Sequence, residues 1–294
     1  MSTETADKQA IVENAVREIS QIAMLPEITI RIIELVEDPN STANDLHQII
    51  SNDPALCARI LKVVNSSFYG LPGQIGSINR AIVLLGLNAV KNIAISASLA
   101  KLFRGGQLSP HFSARDLWTH SVAAATAAKV IADEMKVASS DEAFLAGLVH
   151  DLGIMVEMQY DRQKLIEVIE RVAPDKDGVP SGNMLEAELE IFGATHQDFG
   201  RALATKWKFP KTLVDVVSSH HAPMGVPEAS RKLPCLIHAA DRVAGTIEGG
   251  FRLDLTSLDH DPAVLDALGL KAEQLDALHD RIVEEVENVK AMLG

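Results

Sequence analysis

The sequence predicts an all-α protein made of around a dozen helices. Aromatic residues are only 4% of the 294 residues, while Ala, Leu, Ile and Val are plentiful, which favours helices packed on helices. Apolar residues recur at helical spacing, and the first hundred residues show no clear strand-like alternation. Because 47% of the residues are hydrophobic, the chain can bury a substantial core.

The first half, residues 1–103, is expected to form five or six helices. Thr42 and Asp45 have the spacing of a capping pair, Pro54 suits the first turn of a helix, and Gly86 separates two short helices. The expected segments are 11–24, 27–38, 42–50, 52–70, 78–86 and 88–103.

A second group of helices is expected over 104–249, followed by a helical extension over 250–294. Ser113 with Asp116 and Ser139 with Glu142 resemble capping pairs. The second pair is expected to open the helix that carries His150 and Asp151. A later helix, which contains His238 and Asp241, is expected to run to Gly249–Gly250.

Composition and charge narrow the function classes. The net charge of −13 argues against binding to DNA or to an anionic membrane, because both require basic patches. The segment 81–103 is apolar, but Gly86, Asn88, Lys91 and Asn92 interrupt it, so it is interpreted as two buried helices rather than a membrane span. Two cysteines and a polar start unlike a signal peptide predict a cytoplasmic protein.

The stretch FLAGLVHDLGIMVEM, residues 144–158, places His150 and Asp151 inside an apolar run. Burying polar groups is costly unless a partner satisfies them, so a hydrogen-bond network, a metal or an active site is expected there. Ala146 and Gly147 are small enough to let a facing helix approach closely.

Further histidines and an aspartate lie on successive predicted helices. Imidazole and carboxylate together suit first-row transition metals, and a carboxylate between two histidine sets can bridge two ions. The alternative is that each histidine is a hydrogen-bonded core residue, or that a pair at a helix end interacts with the helix dipole. Because these residues follow one another on successive helices, their side chains are expected to converge on one site. The set consists of His120, His150, Asp151, His196, His220, His221 and Asp241. The other histidines are assigned to surface or packing positions, and these are His47, His111, His238, His260 and His279.

This order resembles the ligand series of HD-superfamily phosphohydrolases, especially HD-GYP phosphodiesterases. The runs NDPALCARILKVVNSSFYG (52–70) and SINRAIVLLGLNAVKNIAI (77–95) resemble the HDOD domain, a regulatory branch of that superfamily, as do LAGLVHDLG and GATHQDFGRALATKWKFP. The likeness covers roughly residues 18–245. It implies an all-helical HD/HDOD-like bundle with a bacterial signalling role.

The resemblance also implies a site. One divalent ion (iron, manganese or another first-row metal) would take His120, His150, Asp151 and Asp241. A second ion would share Asp151 and take His196, His220 and His221.

Two departures from the enzymes weaken the expectation of cyclic dinucleotide hydrolysis. Ile154 stands where HDxGK sequences have lysine, and HHAPMGVP stands where HD-GYP proteins carry Gly-Tyr-Pro. Metal binding stays open.

Two functions are therefore carried forward. The first is a regulatory signalling module that binds a protein partner, a metal and a nucleotide or phosphate-containing ligand, without efficient catalysis. The second is a metal-dependent phosphohydrolase or phosphodiesterase. Phe68 and Tyr69 are expected either to plug the bundle or to form the partner surface, and residues 1–103 are expected to be integral to one folded unit.

Overall fold

The computed structural model describes residues 3–19, 26–38, 40–100, 102–103, 106–247 and 251–293. Their architecture is helical, as the composition predicts. The first six helices are α1 (Thr3–Glu18), α2 (Glu27–Glu37), α3 (Ala43–Ser51), α4 (Pro54–Val64), α5 (Ile78–Leu85) and α6 (Leu87–Leu99). The predicted residues 20–24 at the end of the first stripe lie outside the described residues.

A small antiparallel hairpin follows, which the sequence pattern did not predict. Its strands are β1 (Gln107–Ser109) and β2 (Phe112–Ser113). Eight helices then build the second group: α7 (Ala114–Met135), α8 (Ser140–Val149), α9 (Leu152–Tyr160), α10 (Arg162–Val172), α11 (Met184–Ile191), α12 (His196–Lys206), α13 (Lys211–Ser219) and α14 (Lys232–Ala244). Short 3-10 turns over Pro223–Gly225 and Glu228–Ser230 join the last two. The chain closes with α15 (Pro262–Leu268), α16 (Ala272–Asp276) and α17 (His279–Leu293).

The helix-start signals are mostly confirmed. Thr42 and Asp45 form a capping box, because the Thr42 hydroxyl accepts from the Asp45 N–H and the Asp45 carboxylate accepts from the Thr42 N–H. Ser113 likewise caps α7 through the N–H of Asp116. Such caps satisfy backbone donors that a helix start leaves free.

Two predictions about helix ends are wrong. Ser139 precedes α8, but its side chain makes no capping hydrogen bond, and the Glu142 carboxylate instead accepts from the Thr212 hydroxyl at 2.8 Å. The helix that holds His238 ends at Ala244 rather than at Gly249–Gly250. Gly245 follows the helix, and the backbone beyond it forms turns, with the Thr246 N–H donating to the Val243 carbonyl oxygen at 3.1 Å. Residues 248–250 lie outside the described residues.

One continuous cluster of buried apolar side chains extends through both groups of helices. Helix α6 packs against α8, α1 packs against α12 and α9, and α4 packs against α17. The first half of the chain therefore shares its core with the second. The division of the chain at residues 103 and 249 into two halves of one unit and a C-terminal extension stays a prediction.

Phe68 and Tyr69 lie at the contact between these groups. Phe68 packs on Phe144 of α8, with ring centroids 5.7 Å apart, and edge-on to Tyr69. The Lys129 ammonium from α7 lies 5.6 Å and 5.1 Å from the Phe68 and Tyr69 ring centres. These contacts fit the interpretation as a plug, and the partner surface stays a prediction.

None of the described helices is both long enough and apolar enough to cross a lipid bilayer.

Candidate metal centre

The first candidate ligand is held by the longest of the described helices. His120 lies on α7, whose start is fixed by the Ser113 cap, and its side chain is fully buried. Its Nε2 atom is 2.9 Å from Asp241 Oδ1 and 3.8 Å from Asp151 Oδ2. Asp241 comes from α14, which packs directly against α7.

His150 and Asp151 do not continue a helix, so the prediction that one helix carries both residues is wrong. Helix α8 ends at Val149 and α9 begins at Leu152. The backbone leaves helical geometry at Asp151, with φ −99° and ψ 17°. Helical spacing would turn consecutive side chains about 100° apart, whereas the interruption lets both face the same interior site.

Helix α7 packs closely beside the break between α8 and α9 because the facing residue of α8, Gly147, has no side chain. A Cβ on Gly147 would lie 2.7 Å from Ala125 Cα of α7, so only glycine fits there without a backbone shift. This confirms the expectation of a close helix contact beside the His-Asp pair.

The hydrogen bond of His150 fixes the role of its ring. The Nδ1 atom is 2.7 Å from the Gly147 carbonyl oxygen, which can only accept, so Nδ1 carries a proton. In a neutral ring Nε2 then presents a lone pair to Asp151 Oδ2 at 3.1 Å. Two lone pairs facing each other repel, so a second proton or a metal cation is required between them.

Asp151 lies between two groups of histidines. Its Oδ2 atom faces His120 and His150, and its Oδ1 atom faces His220 at 3.3 Å and His196 at 3.9 Å. Neither oxygen receives a hydrogen bond of regular geometry. A fully buried carboxylate without such bonds is costly, and this arrangement is the one expected of a carboxylate shared by two cations.

The second group contains three imidazoles in close contact. His196 Nε2 lies 3.1 Å from His221 Nε2 and 3.4 Å from His220 Nε2. His196 begins α12, just after the Thr195 cap, and His220 and His221 follow the end of α13. In a neutral ring each of these Nε2 atoms is either a donor or an acceptor, so the three atoms cannot all be paired by hydrogen bonds with one another.

A second layer of residues orients these rings. Both oxygens of Glu188, on α11, contact His196 Nδ1, at 2.8 Å and 3.0 Å, and one accepts from the His196 backbone N–H. His238 donates from Nδ1 to the His220 carbonyl oxygen at 2.7 Å. Such outer contacts fix the ring that a metal ligand presents. The sequence pattern did not identify Glu188. His238 was assigned to a surface or packing position, and its side chain is packed in the interior.

The structure adds one acidic side chain to the group. Asp254, which sequence reasoning missed, has Oδ2 at 3.3 Å from His221 Nε2, and its side chain is fully buried. It belongs to a five-residue set of possible ligands with Asp151, His196, His220 and His221. The signal was present in the sequence: Asp254 lies between buried Leu253 and Leu255, just as His150 and Asp151 lie in an apolar run.

The pKa values of these buried side chains follow from their burial and from the charges beside them. Burial acts to lower the pKa of His150, but the adjacent Asp151 and Asp241 outweigh it and raise that pKa well above its usual value. Burial acts to raise the pKa of Asp151, but His150 and His220 lower it well below its usual value. Burial, reinforced by His221, lowers the pKa of His220 to about 3. The carboxylate is thus ionised and His220 is neutral, the forms in which both bind metal, whereas His150 holds a proton that a metal ion would displace.

All seven residues of the predicted set surround one buried centre. The side chains of six of them are fully buried, and that of His221 is 8% exposed. Their donor types and the lack of regular hydrogen bonds to Asp151 fit divalent first-row ions. Their role as metal ligands stays a prediction.

The structure is thus that of an all-helical protein with buried His and Asp side chains gathered at one centre. A sequence model of the HDOD domain matches residues 22–223, more than half of the chain, and the chain belongs to the HDOD domain family.

One relative and several solved structures are similar to this chain. An uncharacterised protein of Treponema pallidum is 26% identical over 235 residues, which are 79% of this chain and 44% of that protein, so the chain spans less than half of that relative. The crystal structure of an HDOD domain protein of unknown function from Geobacter sulfurreducens is 22% identical, with a TM-score of 0.70 over 95% of this chain and 99% of that one.

Two further crystal structures share the fold. One, named a candidate phosphohydrolase, from Shewanella amazonensis, is 23% identical with a TM-score of 0.71 over 95% of this chain and 98% of that one. The other, named a candidate signal transduction protein, from Marinobacter aquaeolei, is 23% identical with a TM-score of 0.73 over 100% of this chain and 66% of that one. At this identity they establish the helical architecture.

Proposed function

We propose that the chain is a cytoplasmic signalling regulator that binds a partner protein and holds divalent metal in a buried His/Asp centre, without efficient catalysis. The burial of the centre carries this proposal. A substrate phosphate must reach the ions, yet six of the seven side chains have no exposed surface. A metal centre that is closed off from solvent is typical of a structural role rather than a catalytic one.

The donor set supports metal binding. His120, His150, Asp151 and Asp241 would hold one first-row ion such as iron or manganese. Asp151, His196, His220 and His221 would hold a second. A metal cation between His150 and Asp151 would take the place of a proton and relieve the repulsion between their lone pairs. Glu188 holds the His196 ring with its Nε2 atom directed inward.

The surroundings of Ile154 support the lack of efficient catalysis. Its apolar side chain is fully buried, so this position offers no charge to a substrate phosphate. The regulatory role also agrees with the Marinobacter neighbour, which is named for signal transduction.

The second candidate is a metal-dependent phosphohydrolase that acts on a nucleotide or phosphodiester. The position of Asp151 between two histidine groups favours it, and the Shewanella neighbour is named a candidate phosphohydrolase. Divalent ions, when bound, supply Lewis-acid activation of a phosphate ester and of water. Against it, six of the seven side chains of the centre have no exposed surface.

Metal analysis combined with turnover assays separates these functions. Protein purified without chelator should contain first-row metal, and Asp151→Ala should lower the content most because Asp151 would contact both ions. Asp177→Ala is the matched control, since Asp177 is a surface acid whose side chain is 70% exposed. The protein should show little or no turnover of cyclic di-GMP and of bis(p-nitrophenyl) phosphate. Rapid metal-dependent turnover that Asp151→Ala abolishes would establish the enzyme instead.

A further inference from the structure

The segment Phe251–Leu255 lies against both halves of the centre. Phe251 packs edge-on to His120, with ring centroids 6.0 Å apart, and edge-on to Phe112 of β2 at 5.5 Å. Three residues later, Asp254 reaches His221. Phe251, Leu253 and Leu255 are all buried, so apolar packing holds this segment in place.

The chemistry of Asp254 is unusual for a packed segment. Its side chain is fully buried, and neither carboxylate oxygen makes a hydrogen bond of regular geometry within the described residues. Its ionic contact is His221 Nε2 at 3.3 Å, the same ring atom that lies 3.1 Å from His196 Nε2. A buried carboxylate without a regular hydrogen bond is therefore aimed at the one ring of the set that keeps some exposure.

We propose that Asp254 is an additional metal ligand, which closes the second half of the centre at its exposed edge. This inference rests on the proposed metal binding and deepens it. Asp254, Asp151 and the three histidines offer five donor atoms that lie within 4.8 Å of one another. A six-coordinate ion held by five protein donors keeps one open position at most, whereas the four donors without Asp254 would leave two.

Coordination by Asp254 would restrict the access of substrate to the second ion, which fits a regulatory centre better than a catalytic one. A phosphate ester and the water that attacks it both need access to a catalytic ion. The carboxylate takes a position that an exogenous oxygen ligand would otherwise occupy. Phe251 covers the other half at His120, so the same five-residue segment shields both parts of the centre.

The test uses the full chain loaded with Co²⁺, whose visible absorption reports coordination. Asp254→Asn keeps the size of the side chain but weakens its donor oxygen. The wild-type protein should bind two Co²⁺ ions, and inorganic phosphate should not change their spectrum. The variant should bind the second ion at least 10-fold more weakly, and phosphate should shift its spectrum. Asp259→Asn, at an exposed acid that accepts from Ser257 at 2.9 Å, is the control and should match the wild type.

The outcomes separate this inference from the proposed function. If the wild type binds two ions and Asp254→Asn matches it in affinity and phosphate response, the inference is wrong while the metal centre stands. If the wild type binds no metal, both fail. The unfolding of the metal-free proteins provides a second measurement: a lower stability of Asp254→Asn, with unchanged Co²⁺ affinity, would reduce Asp254 to an ion-pair partner of His221.

Discussion

Replacement of Gly153 by alanine tests the geometry that brings Asp151 to the second histidine group. Gly153 lies in the first turn of α9, against the start of α12. A Cβ at this position would lie 1.7 Å from the His196 carbonyl oxygen and 2.5 Å from its carbonyl carbon. An ordinary contact between carbon and oxygen is about 3.3 Å, so the two helices would have to separate by about 1.5 Å.

The expected cost is large because the added Cβ is fixed to the backbone and the group it meets is a backbone carbonyl. Overpacking by side chains costs about 1–3 kcal/mol, but a carbonyl group cannot rotate away without breaking its helix. We therefore expect Gly153→Ala to lower the free energy of unfolding by about 3 kcal/mol, the upper end of that range, with a decrease in Tm of about 5 °C for a chain of 294 residues. The separation would also move Asp151 away from His196, so metal content should fall.

Urea unfolding followed by circular dichroism measures this loss. Gly76→Ala is the matched control, because its added Cβ would meet no heavy atom within 4 Å, and its stability should stay within about 0.5 kcal/mol of the wild type. Unchanged unfolding and metal content in Gly153→Ala would show that α9 and α12 do not approach as closely as described.

Three other predictions concern groups around the core. Burial, reinforced by the charge of Arg242, lowers the pKa of His238 to about 4 from 6.5. As the pH falls, the unfolded chain therefore binds a proton at His238 before the folded protein does. The stabilising contribution of neutral His238, about 3 kcal/mol above pH 6.5, is lost as the pH falls towards 4. In urea titrations at pH 4.5 the metal-free wild type should lose its stability advantage over His238→Gln, and an unchanged difference would contradict this. Burial raises the pKa of the Cys235 thiol to about 11, so iodoacetamide at pH 8 should label half-buried Cys57 first, as mass spectrometry would show, and equal labelling rates would be the contrary result. Phe68→Ala should cost about 2 kcal/mol in thermal unfolding, because the half-buried ring packs on Phe144; retained stability together with a lost protein partner would favour the exposed surface instead.

The fold class and many helix positions were predictable because local signals agree with the packing. Thr42 with Asp45 and Ser113 with Asp116 form the expected caps, and Gly86, at φ 90°, separates α5 from α6. The failure at Ser139 shows the limit of such signals. The Glu142 partner is taken by Thr212, 70 residues away, and no local pattern encodes that contact.

The candidate site was predictable where polar residues interrupt apolar runs at recognisable spacing. His150 and Asp151 were found in this way, although the helix break between α8 and α9 was not, because apolar periodicity continues across it. Asp254 lies between two leucines and gives a shorter form of the same signal, but its contact with His221 comes from another element, as does the contact of Glu188 with His196. Their roles follow from tertiary packing, which a single sequence does not reveal.

The distribution of the centre along the chain has a consequence for the order of folding. Its side chains come from α7, the α8–α9 break, α12, the end of α13, α14 and the segment at Asp254. His120 and Asp241, in direct contact, are 121 residues apart in sequence. Closing loops of this length has an entropic cost that must be met before the contacts form. The proposed metal ions would therefore add their binding energy only once the helices of the second group have come together, and metal uptake would then report that this assembly is complete.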